Sequence, residues 1–299
     1  MRSPLTWQKL TEESPTLLGI GLMAGATVAF AAMHGGVRYL SIELSLHPFE
    51  IAFFRNLFGM IALAPWFLRQ GIRPLRTQRF GLHALRALFN VVAMLLFFMG
   101  LSLTPIAQVQ ALGFTAPLFA SLLAVMFLGE RMLMWRWSAL GLGFAGALII
   151  VRPGASVDTG SLMVLASAAV WSLAIITIKT LSRTDSSVTI TAYMVLLMTP
   201  LSLVAAVFVW QWPDPWQLGW LVFVGVSGTL AQLAMAQALR MADTTIIMPL
   251  DFMKLIWGSI IGYLLFGEVP ESAVWIGGGV ILAAVTYTAY RETRRDAAG

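Results

Sequence analysis

The stretch LLAVMFLGERMLMWRWSALGLGFAGALII (122–150) has a partial copy later in the chain, IIGYLLFGEVPESAVWIGGGVILAAVTY (260–287). Setting Gly129-Glu130 on Gly267-Glu268 also brings Phe114 onto Phe252, Ser121 onto Ser259 and Trp137 onto Trp275. Earlier in each half, FAAMHGGVRYL (30–40) matches WSLAIITIKTL (171–181), pairing Phe30 with Trp171 and Arg38 with Lys179. Two matches in the same order, at nearly the same shift, divide the chain into two related halves.

The solvent of those halves follows from composition. Hydrophobic residues make up 59% of the 299 and charged residues 11%, against roughly 45–50% and 25% in soluble domains. A soluble fold of this length has no way to bury so much apolar side chain, so most of it faces lipid. A hydrocarbon core about 30 Å thick needs roughly twenty apolar residues per helix. On that ruler the first half has apolar runs near 17–40, 49–68, 84–104, 106–128 and 134–151. The second has runs near 160–181, 190–210, 217–239, 244–266 and 272–290. The reading is an all-α integral membrane protein of about ten transmembrane helices, with one repeat over 1–155 and another over 156–299. Five spans is an odd number. The second repeat therefore enters the membrane from the opposite side, the inverted-repeat architecture of many secondary transporters.

Orientation follows from charge. With the N-terminus in the cytoplasm, 15 of the 19 Lys and Arg fall in inside segments, only Arg38 and Arg152 fall outside, and Arg55 and Lys254 lie within spans. That bias predicts cytoplasmic N- and C-termini in a multi-pass protein of the bacterial inner membrane. The same rule accounts for the net charge of +5 without nucleic acid as a partner; membrane lipid is the expected surroundings. The absence of cysteine removes disulfides, thiol nucleophiles and Cys-based metal sites.

A motif LGE (128–130) or FGE (266–268) closing the fourth span of each half, followed by a Gly-rich fifth span (GLGFAGALII, GGGVILAAV), resembles the drug/metabolite transporter superfamily, specifically its EamA-type repeat. Within it, the chain is most similar overall to the YddG-type exporters of aromatic and other amino acids. The resemblance covers roughly residues 15 to 291. It implies alternating access through a central cavity lined by spans one to four and six to nine, with spans five and ten at the periphery. It also implies export of an amino acid substrate, aromatic or otherwise neutral, from the cytoplasm. The alternative it leaves open is another small metabolite or drug.

Some residues stand out for such a role. In MPLDFMKLIWGSIIGYLLFGE (248–268), Asp251 and Lys254 sit deep in an apolar run. A charge near the bilayer centre is costly and normally faces a cavity or a partner. Either Lys254 holds a substrate carboxylate, or Asp251, three residues away on the same helical face, simply pairs with it. Asn90, Gln110 and Gln232 are amides on cavity-side spans, and Gln108 and Gln237 accompany them; each bonds to substrate or to a neighbouring helix. Trp171 is deep enough to stack on an aromatic substrate or to pack in the core. His34 is a candidate proton carrier or a packing residue, and Arg55 meets an acidic substrate or snorkels to the interface. Pro117 and Pro249, in spans four and nine, are candidate hinges. GLMAG (21–25) and GSIIG (258–262) mark close helix packing. No metal site is expected, because His47 and His83 fall on opposite sides.

No Walker A sequence, no HExxH and no GxSxG occur; GVSGT (225–229) fails at its last position. No clustered catalytic set suggests an intramembrane enzyme, no cofactor is implied, and no charge ring or filter sequence suggests a channel.

Overall fold

In lipid every backbone N–H and C=O must be satisfied within the protein, and an apolar run of about twenty residues does this by itself as a helix. The computed structural model describes residues 15–70, 77–128, 134–152, 158–185, 187–241 and 250–296, and among them are eleven α-helices. The first half holds α1 (Pro15–Ile42), α2 (Pro48–Gln70), α3 (Phe80–Leu103), the broken pair α4 (Ile106–Gly113) and α5 (Ala116–Leu128), and α6 (Met134–Val151). The second holds α7 (Thr159–Leu181), α8 (Ser187–Ala206), α9 (Pro215–Met241), α10 (Met253–Phe266) and α11 (Ser272–Asp296). Among the described residues, six spans are long and apolar enough to cross a membrane, α4 and α5 together making one of them, and three more helices are apolar but shorter.

The packing has the symmetry of the repeat. Helix α1 lies along α9 as α7 lies along α3; α2 meets α9 as α3 meets α8; α1 meets α10 as α7 meets α5. The pairs α2 with α8, α4 with α10 and α6 with α11 join counterparts across the pseudo-two-fold axis. The two repeats are thus interleaved, each helix of the central eight burying its face against the other half. Backbones approach closely where glycine allows it. A Cβ on Gly146 would meet the carbonyl of Gly277, and one on Gly277 the carbonyl of Gly146, so α6 and α11 touch main chain to main chain. Of the two small-residue motifs, Gly258 packs on Ile106 and Gln110 and Gly262 lies under Glu268, while Gly21 and Gly25 face open space.

The FGE motif has a geometric reason. Gly267 ends α10 at φ 66°, the left-handed region that costs a side chain. Its N–H donates to Tyr263 O at 3.0 Å and the Glu268 N–H donates to Gly262 O at 3.0 Å, which folds the Glu268 carboxylate back over the helix end. There Glu268 pairs with Arg38 at the end of α1 and accepts the Ile106 N–H at 3.1 Å, capping the start of α4. Gly267→Ala is expected to lower stability by roughly 1–2 kcal/mol, read as a lower melting temperature of the purified protein.

Candidate functional site

Both broken spans open onto one place. Helix α4 stops at Gly113, and Phe114-Thr115 turn the chain before α5 begins. Pro117 stands in the first turn of α5 and has no N–H to return to the carbonyl of Gly113, so the span cannot run through as one helix. In the second repeat the chain turns at Asp251-Phe252 and α10 starts with the Lys254 N–H on Asp251 O at 3.1 Å. The two turns meet: the rings of Phe114 and Phe252, matched by the repeat, stack at 5.1 Å. Pro249 lies outside the described residues.

Around these turns is a cavity of about 250 Å³ lined from α1, α2, α3, α4, α5, α7, α8, α9 and the start of α10. Neither α6 nor α11 contributes to its wall. All seven candidate contact residues line it: His34, Asn90, Gln110, Trp171, Gln232, Asp251 and Lys254. Gln108 does not; its amide donates to Ser161 Oγ at 2.7 Å and ties α4 to α7.

The wall is mostly apolar. Phe30 and Trp171, equivalent positions of the two repeats, both face the cavity, as do Phe97, Phe98 and Phe114 and the methionines Met33, Met94, Met194 and Met198. The His34 ring sits 5.0 Å from Phe97 and 6.4 Å from Phe30. Lys254 Nζ lies 2.5 Å from Asp251 Oδ1 and 4.4 Å from the centre of the Phe30 ring, so its charge is shared between a carboxylate and an aromatic face. Three polar atoms of the wall, His34 Nδ1, Asn90 Nδ2 and Gln110 Nε2, are buried without a hydrogen-bond partner. A buried polar group in that state costs about 1–3 kcal/mol, which a bound acceptor or donor would relieve.

Arg55 is the residue whose place the sequence left open. It does not snorkel to the interface but lines the cavity, beside Gly228. The phenylalanines of the wall had no signal beyond the repeat match of Phe30 with Trp171 and of Phe114 with Phe252. In an apolar span, a ring that faces lipid and a ring that faces a cavity look alike.

The two ends of the bundle are tied across the repeats by polar networks. At one end, beside Arg38 and Glu268, the Thr104 hydroxyl donates to Asp158, which caps α7 by accepting from Gly160 N at 3.2 Å and Ser161 N at 3.0 Å. Burial alone would raise the Asp158 pKa, but the Thr104 and Ser161 hydroxyls and these N–H groups outweigh it and hold the carboxyl below its ordinary value. At the other end Asp185, after α7, accepts from Thr77 Oγ1 at 2.7 Å and lies 2.7 Å from His83 Nε2, while Arg86 donates to Ile190 O. The Thr77 hydroxyl first, and the His83 ring and Arg79 after it, hold the Asp185 carboxyl below its ordinary value against a smaller opposing effect of burial. A lowered folded value means that the stabilisation is complete above the ordinary value of 3.8 and is lost as pH falls through the lowered one. The wild type is therefore expected to melt above Asp185→Asn at neutral pH, and the gap to close in acid. A gap independent of pH would assign the loss to something other than the charge.

Comparison with known proteins gives a consistent family. A model of the EamA-like transporter family matches the chain twice, over residues 17–152 and 158–290. The chain is 36% identical over 285 residues to a riboflavin transporter of Vibrio cholerae serotype O1, covering 94% of this chain and 95% of the relative. It is 31% identical over 279 residues to an S-adenosylmethionine uptake transporter of Rickettsia bellii, at 93% and 95% coverage. It is 28% identical over 270 residues to a pseudopaline exporter of Pseudomonas aeruginosa, at 88% and 93%. One crystal structure superposes with a TM-score of 0.60 over 94% of this chain and 97% of its own, at 18% identity, which shows the fold alone. The substrates named for these relatives are not aromatic amino acids, so the narrower likeness to amino acid exporters finds no support among them.

Proposed function

The chain belongs to the EamA-like transporter family, and from that premise we propose that it is a secondary transporter for a small metabolite built on a planar heteroaromatic ring, moved by alternating access through the central cavity. The observation that carries this reading is the wall itself: Phe30 and Trp171 from opposite repeats, with Asn90, Gln110 and Gln232 among them. Apolar faces with a few placed polar groups are what a flat, heteroatom-bearing ring requires. Trp171 and Phe30 stack on the ring; Asn90, Gln110, Gln232 and His34 bond to its edge; Asp251 and Lys254 contact it as a pair. Pro117 and Pro249 act as the points about which spans four and nine bend.

The relatives support the same class, because riboflavin and S-adenosylmethionine both carry a fused heteroaromatic ring. They favour another metabolite over the export of aromatic or neutral amino acids, although an amino acid ring would fit the same shelf. In liposomes holding the purified protein, counterflow of labelled riboflavin, S-adenosylmethionine, adenosine, Phe and Trp separates the two. At least one fused-ring compound is expected to exchange more than about tenfold faster than either amino acid. Exchange restricted to Phe and Trp would replace this reading with amino acid transport. Stacking of a base on an aromatic side chain contributes roughly 1–3 kcal/mol, so Trp171→Ala is expected to weaken the best substrate by about tenfold.

The proposed topology places both termini in the cytoplasm, in line with the distribution of Lys and Arg, with residues 1–155 and 156–299 as the two repeats. A cysteine placed at Thr184, in this cysteine-free chain, should react in intact cells only with a membrane-permeant maleimide. Reaction with an impermeant one would reverse the topology.

A further inference from the structure

Among the described residues, the cavity wall holds more positive charge than its carboxylates neutralise. Asp251 and Lys254 cancel one another at 2.5 Å. Arg55 has no such counterpart. Its Nη1 donates to the amide oxygen of Asn56 at 3.1 Å, and among the described residues no carboxylate pairs with it. Asn56 is itself committed, its amide nitrogen donating to Ser202 Oγ at 3.1 Å, so it is a neutral acceptor held in place rather than a counterion. The guanidinium has five N–H donors in a rigid fork and lies beside Gly228. Gly228 is informative here, since a Cβ at that position would press on Met33 Sδ and come within 3.4 Å of Arg55 Nε and Nη2. The same wall carries two amide nitrogens, Asn90 Nδ2 and Gln110 Nε2, that lack an acceptor. The unpaired guanidinium therefore shares the wall with two amide donors free to meet an acceptor.

An uncompensated cation inside a membrane-embedded cavity is costly, and a substrate that brings the missing charge removes that cost on binding. We propose that Arg55 is the anion anchor of the cavity, so that the preferred substrate is a heteroaromatic metabolite carrying an acidic oxygen group, a carboxylate or a phosphate. The inference rests on the reading of the cavity as a heteroaromatic site and adds to it the charge of the ligand. The fork of Arg55 takes two oxygens of the acid side by side, while the ring lies on the shelf of Phe30 and Trp171. Lys254, already engaged by Asp251, is not the group that holds the acid. A neutral parent compound would leave the Arg55 guanidinium without an anionic partner.

The test compares forms of one ring that differ only in charge, with the full-length protein in liposomes and no imposed potential. One set is riboflavin, riboflavin 5′-phosphate and a flavin bearing a carboxymethyl side chain. The other is adenosine, its monophosphate and its 5′-carboxylate. In the wild type, one acidic form of at least one ring should compete for counterflow about tenfold or more better than the neutral form, as a charge-assisted bond implies. Which acid wins separates carboxylate from phosphate. The acid-to-neutral ratio should fall toward one in Arg55→Gln and recover in part in Arg55→Lys, which keeps the charge but not the fork. Should Arg55→Gln not yield a monodisperse protein, the wild-type ratio and the Arg55→Lys ratio decide. Equal competition by neutral and acidic forms in the wild type would overturn the anchor and leave the heteroaromatic reading standing. Failure of every form of both rings, with exchange of an unrelated solute, would overturn both.

Discussion

Glu268→Gln is expected to destabilise the protein by on the order of 3–5 kcal/mol, the cost of leaving one charge of a buried pair uncompensated. The pair is enclosed: the side chains of Arg38 and Glu268 are 9% and 13% exposed. Arg38 also donates to the carbonyls of Leu101 and Thr104, at 2.6 and 2.7 Å, and so holds the end of α3 to the end of α1. Glutamine keeps an oxygen for the Ile106 N–H but strands the guanidinium. Arg38→Met fails from the other side, stranding the carboxylate and removing the donor from two carbonyls. The double variant, Arg38→Met with Glu268→Gln, should lose clearly less than the sum of the two single losses. Melting temperatures of the four proteins close the cycle, and additive losses would show that the two residues act separately.

Lys254→Met should reduce transport by two orders of magnitude or more, because it leaves the Asp251 carboxylate alone in the cavity wall. Uncompensated, that carboxylate costs on the order of 3–5 kcal/mol and places a negative charge where an acidic substrate has to sit. Asp251→Asn with Lys254→Met removes both charges together. If the pair acts by mutual neutralisation, as the 2.5 Å separation indicates, counterflow should recover to within about tenfold of wild type. A double variant as inactive as Lys254→Met would mean that Lys254 itself holds the substrate's acid and that Arg55 does not. These three proteins should also be compared for folding, since Lys254 covers the face of Phe30.

Much of this was legible before any coordinates. The apolar content, the odd number of spans per half and the paired LGE and FGE motifs are properties of the chain alone, and they lead to a membrane protein of two inverted repeats. The seven candidate contact residues were visible for a related reason. A polar or bulky aromatic residue deep in a span is expensive in lipid, so its presence points to a cavity, and all seven lie on one.

What the sequence left open, the tertiary structure decided by bringing together residues from different halves. Arg38 and Glu268 look like two span-end charges until the turn at Gly267 folds one onto the other. Arg55 reads equally well as a snorkelling residue or a cavity cation, because its distance along the helix fixes depth but not the neighbour it faces. The phenylalanines carry no sign of their side at all. Lipid and an apolar cavity are alike as solvents for a ring, and helical periodicity tells which residues share a face, while only packing tells what that face meets.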